Sequence, residues 1–430
     1  MWPSPRSDGL VKLGIRLAAL AALIVGVTAG LAAAGRAPPP GLGTWPDRAM
    51  IDNGRTLAAI GNCNVCHTTE GGASFAGGRP LETPFGTLYS TNITPDQETG
   101  IGRWTSEDFR RAMREGMAPN GRQLYPAFPY DHFARVDLRD IDAIYAYLMT
   151  REPVHSSTPP NALRPPYGAR PLIAVWKLMY FHPEPISPDP SQSSEWNRGR
   201  YLVEGLGHCG ACHTPRNAMG AEESNRNLSG GEAEGWHAPA LNEGSVAPTR
   251  WTVDSLVLYL RSGFDEHHGA SRGPMVPVTR NLANIPEADV RAIAVYIASL
   301  AGQSTTGPAL AATREQLAAT DAQDAQAAVL YEGACASCHD RTLNGVPLEN
   351  STAVTDVVPT NIIRVITDGL TPIDGEPSRS MPGFRSSFTA EQTAELVRYI
   401  RARYSHAAPW RDVEAEVAKI RAEHPSRSAS

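Results

Sequence analysis

Three short stretches of this chain could do chemistry, and they share one spacing. They read Cys63-Asn64-Val65-Cys66-His67, Cys209-Gly210-Ala211-Cys212-His213 and Cys335-Ala336-Ser337-Cys338-His339. They use every one of the 6 cysteines in the sequence. In C-x-x-C-H the two thiols stand one helical turn apart and can add across the two vinyl groups of a haem. The histidine that follows is then carried beneath the iron as its proximal ligand. A zinc site would need a fourth Cys or His at ligand spacing in each stretch, and no further cysteine exists. A thioredoxin-like dithiol would need a βαβ pattern, which the sequence lacks. Three copies in one chain point to three covalently bound haem c groups. Cys63, Cys66, Cys209, Cys212, Cys335 and Cys338 are the expected attachment points, and His67, His213 and His339 the proximal ligands.

The elements that must position these motifs recur with them. Gly54-Arg55-Thr56-Leu57 and Gly199-Arg200-Tyr201-Leu202 precede the first two motifs, and Ala328 to Tyr331 precede the third. Each looks like a short helix that delivers its motif. Downstream, Trp104-Thr105 and Trp251-Thr252 open further helices, with Thr as N-cap and acidic residues in the first turn. Gly116, Gly263 and Gly369 suit left-handed helix ends. A closing helix follows in each repeat. Its apolar stripe is Ile141, Ile144, Tyr145 and Leu148, then Val290, Ile293, Ala294 and Ile297, then Thr393, Leu396, Val397 and Ile400. Tyr147, Tyr296 and Tyr399 share one place beside it and read as core.

A low-spin iron also needs a sixth ligand, commonly methionine. Phe128, Met275 and Met381 stand at the same distance past Gly116, Gly263 and Gly369. Met275 and Met381 are therefore the expected ligands of the second and third irons. Phe128 cannot bind iron. His132, four residues on, is the expected ligand of the first iron, with Met117 or an open site as the alternatives.

Composition agrees with a loop-rich helical protein. The chain has 430 residues, 38 glycines, 36 prolines, 41% hydrophobic and 20% charged residues. A formal net charge of -6 gives no sign of a nucleic-acid partner. Arg6, Lys12 and Arg16 precede an uncharged apolar run from Leu17 to Ala34. The run falls between a signal core of about 7–15 residues and a spanning helix of about 17–25. As an anchor or as a cleaved signal, it exports everything after residue 36, and the basic flank stays inside. The expected division is a signal or anchor helix over 1–36, repeat units over 48–152, 193–303 and 322–404, linkers over 153–192 and 304–321, and a tail over 405–430. The fold class is mainly α: three tandem cytochrome c-like helical domains and an N-terminal hydrophobic helix. In the first linker, Leu172 to Phe181 form an apolar island expected to pack on a neighbouring domain, or to meet a membrane surface or partner subunit.

Residues 48 to 404 resemble the triheme cytochrome c subunits of bacterial membrane-bound dehydrogenases. The likeness rests on Thr91-Asn92-Ile93-Thr94-Pro95-Asp96, Glu98-Thr99-Gly100-Ile101-Gly102, Leu124-Tyr125-Pro126-Ala127, Glu204-Gly205-Leu206-Gly207-His208 and Cys212-His213-Thr214-Pro215-Arg216-Asn217. Such subunits serve alcohol, gluconate, sorbitol and aldehyde dehydrogenases, and molybdenum hydroxylases acting on nicotinate or isoquinoline. The alcohol and gluconate types usually read Ala-Met-Pro-Tyr where this chain has Ala127-Phe128-Pro129-Tyr130. The variant is similar to the branch paired with molybdopterin and iron–sulfur subunits. The resemblance implies electron transfer from a substrate-oxidising partner through three haems to ubiquinone or the respiratory chain, on the periplasmic side of the bacterial inner membrane. No dinucleotide fingerprint or nucleophile constellation stands in the sequence, so oxidation of the organic substrate is expected on another chain. A self-contained peroxidase-like haem enzyme and a free periplasmic shuttle are the competing classes.

Overall fold

The computed structural model describes residues 40–41, 46–301, 324–340, 347–370 and 380–423. The apolar run at 17–34 lies outside them. Among the described residues no helix is long and apolar enough to cross a membrane.

The first unit opens with helix Arg48–Ile60, continues with Ser106–Glu115 and closes with Leu138–Met149. Its opening and closing helices cross at Gly54. A Cβ there would stand 1.9 Å from the Ala143 carbonyl oxygen, so only glycine lets the two backbones touch. The second unit repeats the device. Its opening helix Ser194–Tyr201 crosses Glu287–Leu300 at Gly199, where a Cβ would again come 1.9 Å from a carbonyl oxygen, that of Ala292. Between this glycine and the first cysteine, the second unit carries one residue more than the first. That extra residue is absorbed in a π-helical turn, Leu202–Leu206. The third unit uses Ala325–Ala334, Thr360–Asp368 and Ala390–Tyr404, with the fully buried Ala327 in its opening helix.

The middle helices start as the sequence predicts. Thr105 forms a reciprocal cap with Asp108, and Thr252 one with Ser255. Gly116 and Gly263 end these helices with φ of 57° and 73°. Each chain segment then doubles back: Met117 pairs with Gln123, Phe264 with Ala270 and Leu370 with Met381.

Strands are short and serve the loops. β1 (Pro80–Thr83), β2 (Gly86–Tyr89) and β3 (Ala162–Leu163) make one small antiparallel sheet, with β2 in the middle. β4 (Gly231–Ala233) and β5 (Trp236–Ala238) form a hairpin, as do β6 (Phe264–Asp265) and β7 (Gly269–Ala270).

The core does not divide into three. Leu57, Ile60, Ile141, Ile144 and Leu148 of the first unit belong to one buried cluster with Leu202, Leu206, Val290 and Ile293 of the second. The third unit has its own core, and that core takes in Trp410, Val413, Val417 and Ile420. Helix Val413–Ala422 therefore packs onto the third unit. The apolar island forms helix Pro171–Tyr180. It buries Ile173 and Trp176 and leaves Leu172, Val175, Leu178 and Met179 exposed.

Candidate haem sites

Each motif is folded into one helical turn. His67 N–H donates to the Cys63 carbonyl at 3.0 Å, His213 to Cys209 at 2.9 Å and His339 to Cys335 at 3.0 Å. This bond puts first cysteine and histidine on adjoining positions of the same turn. In the first unit the turn is reached through Asn62, held left-handed at φ 50°. None of the six cysteines is in a disulfide. Burial pushes Cys63 and Cys209 up to about 12 and Cys335 up to about 11. Burial does the same to Cys212, up to about 11, against the opposing charge of Arg216, and the nearby Cys66 adds to it. Thiols with raised pKa values disfavour a thiolate metal cage.

The proximal histidines are aimed from behind. His67 Nδ1 lies 2.6 Å from the Thr91 carbonyl, and His213 Nδ1 lies 2.7 Å from the Pro239 carbonyl. A carbonyl only accepts, so Nδ1 carries the proton in both and Nε2 keeps the lone pair that iron needs. Burial lowers both imidazole pKa values, which keeps the rings neutral. Gly77 and Gly230 each donate a backbone N–H at 2.8 Å to the carbonyl of the adjacent proximal histidine. The donor set of the first two motifs, two thiols and an imidazole held through Nδ1, fits covalent haem c.

The orienting groups are only partly visible in the sequence. Thr91 lies in the Thr-Asn-Ile-Thr-Pro-Asp segment, and Asn92 braces it by donating to Thr99 and to the Val154 carbonyl. The Thr214 hydroxyl donates to Asn227 Oδ1 and accepts from the Leu228 N–H. The carbonyl that holds His213 comes from Pro239, beyond the β4–β5 hairpin. No local motif marks it.

Equal spacing past the glycines does not give equal placement of the expected sixth ligands. Met275 heads helix Met275–Ala283, whereas Met381 sits on the returning strand opposite Leu370. Both are half-buried and pack against their cores. Phe128 stacks at 5.3 Å on Phe133. Met113 is core, and the Met117 sulfur accepts from Arg111 at 3.0 Å.

His132, the expected ligand of the first iron, lies at the junction with the second unit. Its Nδ1 donates to the Glu204 carbonyl at 2.8 Å, and its Nε2 faces both carboxylate oxygens of Glu222 at 3.0 and 3.1 Å. Both neighbours are acceptors, and a proton on each ring nitrogen would satisfy both. A Cβ built on Gly210 would lie 3.0 Å from His132 Cε1, which places the ring against the second motif. Burial alone would lower the His132 pKa. The hydrogen bond and charge of Glu222, with the charge of Asp131, outweigh it and raise the value. Asp131, His132 and Glu222 are the group among the described residues whose ligand atoms cluster closely enough for a metal ion. Arg216, 3.3 Å from Glu222, already supplies positive charge there.

The first two motifs are linked by side chains that the spacing of the motifs does not announce. Arg79 donates to the Val65 carbonyl inside the first motif at 2.8 Å and pairs with Glu234 of the β4–β5 hairpin at 2.9 Å. Asn281, on the helix that Met275 heads, donates to Asn62 and Asn64 at 2.8 and 3.0 Å.

The sequence is similar to those of known proteins. The family model of cytochrome c oxidase, cbb3-type, subunit III matches residues 322–400. Over 393 residues the chain is 46% identical to a subunit of the nicotinate dehydrogenase of Pseudomonas putida, covering 89% of this chain and 33% of that protein. It thus spans about a third of that relative's length. It is 36% identical to the cytochrome c subunit of the quinone alcohol dehydrogenase of Gluconacetobacter polyoxogenes, over 87% of this chain and 85% of the relative. It is also 36% identical to the gluconate 2-dehydrogenase cytochrome c subunit of Pantoea cypripedii, over 87% and 90%. By its motif turns, its oriented histidines and these likenesses, the chain belongs to the cytochrome c subunits of dehydrogenase complexes.

Proposed function

We propose that the chain carries three haem c groups and passes electrons from a molybdopterin- and iron–sulfur-containing dehydrogenase towards ubiquinone or the respiratory chain. The observation that carries the haem count is the identical turn in three places, closed by a histidine-to-cysteine hydrogen bond of 2.9–3.0 Å each time. Bound haem supplies one-electron transfer at iron. The chain's residues hold and orient it: Thr91 and Pro239 fix two imidazoles. Met275 and Met381 are the proposed sixth ligands of the second and third irons. The partner class rests on the nicotinate dehydrogenase relative and on Phe128 in place of methionine. The basic flank and apolar run before residue 36 support a periplasmic, membrane-associated position.

Expression with a haem-attachment system tests the count. A pyridine haemochrome assay on denatured chain should give three haems, and two or fewer refutes it. Co-purification from detergent-solubilised membranes with a molybdenum-containing chain checks the partner class, and a flavin- or quinone-cofactor partner alone rejects it. One observation favours a second reading, a haem enzyme: the first slot holds Phe128. Peroxide turnover by the isolated chain would promote that reading.

A further inference from the structure

The first and second proximal histidines are oriented by carbonyls with different owners. Thr91 is braced within its own unit, through Asn92, Thr99 and Val154. Pro239 follows directly on β5, and the outer edge of β5 is held by the third unit. Asn361 Oδ1 accepts the His237 N–H at 3.0 Å, and Asn361 Nδ2 donates to the His237 carbonyl at 2.8 Å. One side chain thus satisfies the backbone of His237 as a neighbouring strand would. The His237 ring adds a contact of 2.9 Å from Nδ1 to Asp356, which is fully buried. Arg364 donates to the Gly235 carbonyl at 2.6 Å and lies over the Trp236 ring at 5.6 Å. Asp356 is itself fixed, since its backbone carbonyl accepts from Trp410 at 2.8 Å and from Arg401 at 3.2 Å. The carbonyl that meets His213 lies only two residues beyond His237.

We propose that the third unit sets the axial hydrogen bond of the second iron site: Asn361 and Asp356 hold His237, and through it the Pro239 carbonyl against His213 Nδ1. A proximal imidazole that donates a firm hydrogen bond is a more basic ligand and favours ferric iron. Docking of the third unit therefore lowers the potential of the second haem. Asn361, Asp356 and His237 are positioning residues and touch no iron. This rests on haem occupancy as proposed above, and a wild-type chain without three haems would sink that reading first and separately.

The test uses the full haem-loaded chain. Low-temperature electron paramagnetic resonance gives each ferric low-spin haem its own signal, and the signal lost in His213→Ala marks the second. In Asn361→Ala the potential of the second haem should rise and its g values should move, while the first haem keeps both. Asp356→Asn, of equal size and uncharged, should shift the same haem in the same direction by less. If Asn361→Ala lowers occupancy of the third site, the second haem remains readable and the expectation for it stands. An unchanged second haem in both variants overturns the proposal. So does an equal shift of all haems, or a shift confined to the third.

Discussion

The first two units and the third solve the same packing problem in different ways. Units one and two share a single apolar core, and the buried side chains of helices Arg48–Ile60 and Leu138–Met149 continue into Leu202, Leu206 and Val290. The third closes its own core with helix Val413–Ala422 and meets the second through hydrogen bonds and a guanidinium over an indole. A shared apolar core couples two units in stability, because exposing one face exposes the other. A polar seam couples position more than stability, since its groups find water when it opens. The first pair should melt as one body, and the third should be able to part from it.

The sharpest way to break that contrast is at the helix crossings. Gly199→Ala sets a methyl 1.9 Å from a backbone oxygen, which nothing flexible can relieve. It should cost about 4 kcal/mol or more. Calorimetry should show the transition of the joint core fall and that of the third unit stay. If the two fell together, the cores would not be independent.

Next in size is the buried ion pair between units one and two. Glu222→Ala leaves the His132 charge buried with its partner gone, at a cost of about 3 kcal/mol. The effect should again be confined to the joint transition in thermal unfolding, and movement of the third unit's transition would contradict the division.

The same pair gives a pH signature. The pKa of His132 is raised above its ordinary 6.5, so its contribution is full below 6.5 and is lost as pH climbs through the raised value. For Glu222, burial would raise the pKa, but the hydrogen bond and charge of His132, with Arg216, lower it from 4.5. Its contribution is full above 4.5 and is lost as pH falls through the lowered value. Unfolding midpoints across pH should place the best stability of the joint core between about 4.5 and 6.5 from this pair. In His132→Gln the alkaline loss should flatten, and an unaltered slope would show that His132 is not its source.

The smallest effect is expected at Arg79, whose partner Glu234 is half-exposed. Arg79→Ala should cost under about 1 kcal/mol, and less still at high salt. A larger loss in thermal unfolding would mean that its bond to the Val65 carbonyl holds the first motif in place.

Much of the fold is legible locally. Gly54 and Gly199 stand out as a repeated feature, although their reason, a backbone contact with Ala143 and Ala292, belongs to pairs of helices. Thr105 and Thr252 are readable as caps because capping is a three-residue affair. Met275 and Met381 stand at one spacing in the sequence and in two settings in the fold, since Met381 itself pairs with Leu370 whereas Met275 lies beyond the pairing of Phe264 with Ala270. The contacts of His132 escape a sequence reading for a related reason. Its position in the chain is near the first ligand loop, while its partners Glu204 and Glu222 come from the second unit.

The amino-acid order alone determined the chemistry of the attachment sites, because thiol, thiol and imidazole lie within one helical turn and short-range geometry fixes them. It also determined the repeat and most helix ends, which are local for the same reason. Tertiary structure alone decided which units share a core, which carbonyl faces His213, and that His132 meets Glu204 and Glu222. Each of those depends on groups distant in the chain brought within hydrogen-bonding reach, and no spacing along a sequence encodes that meeting.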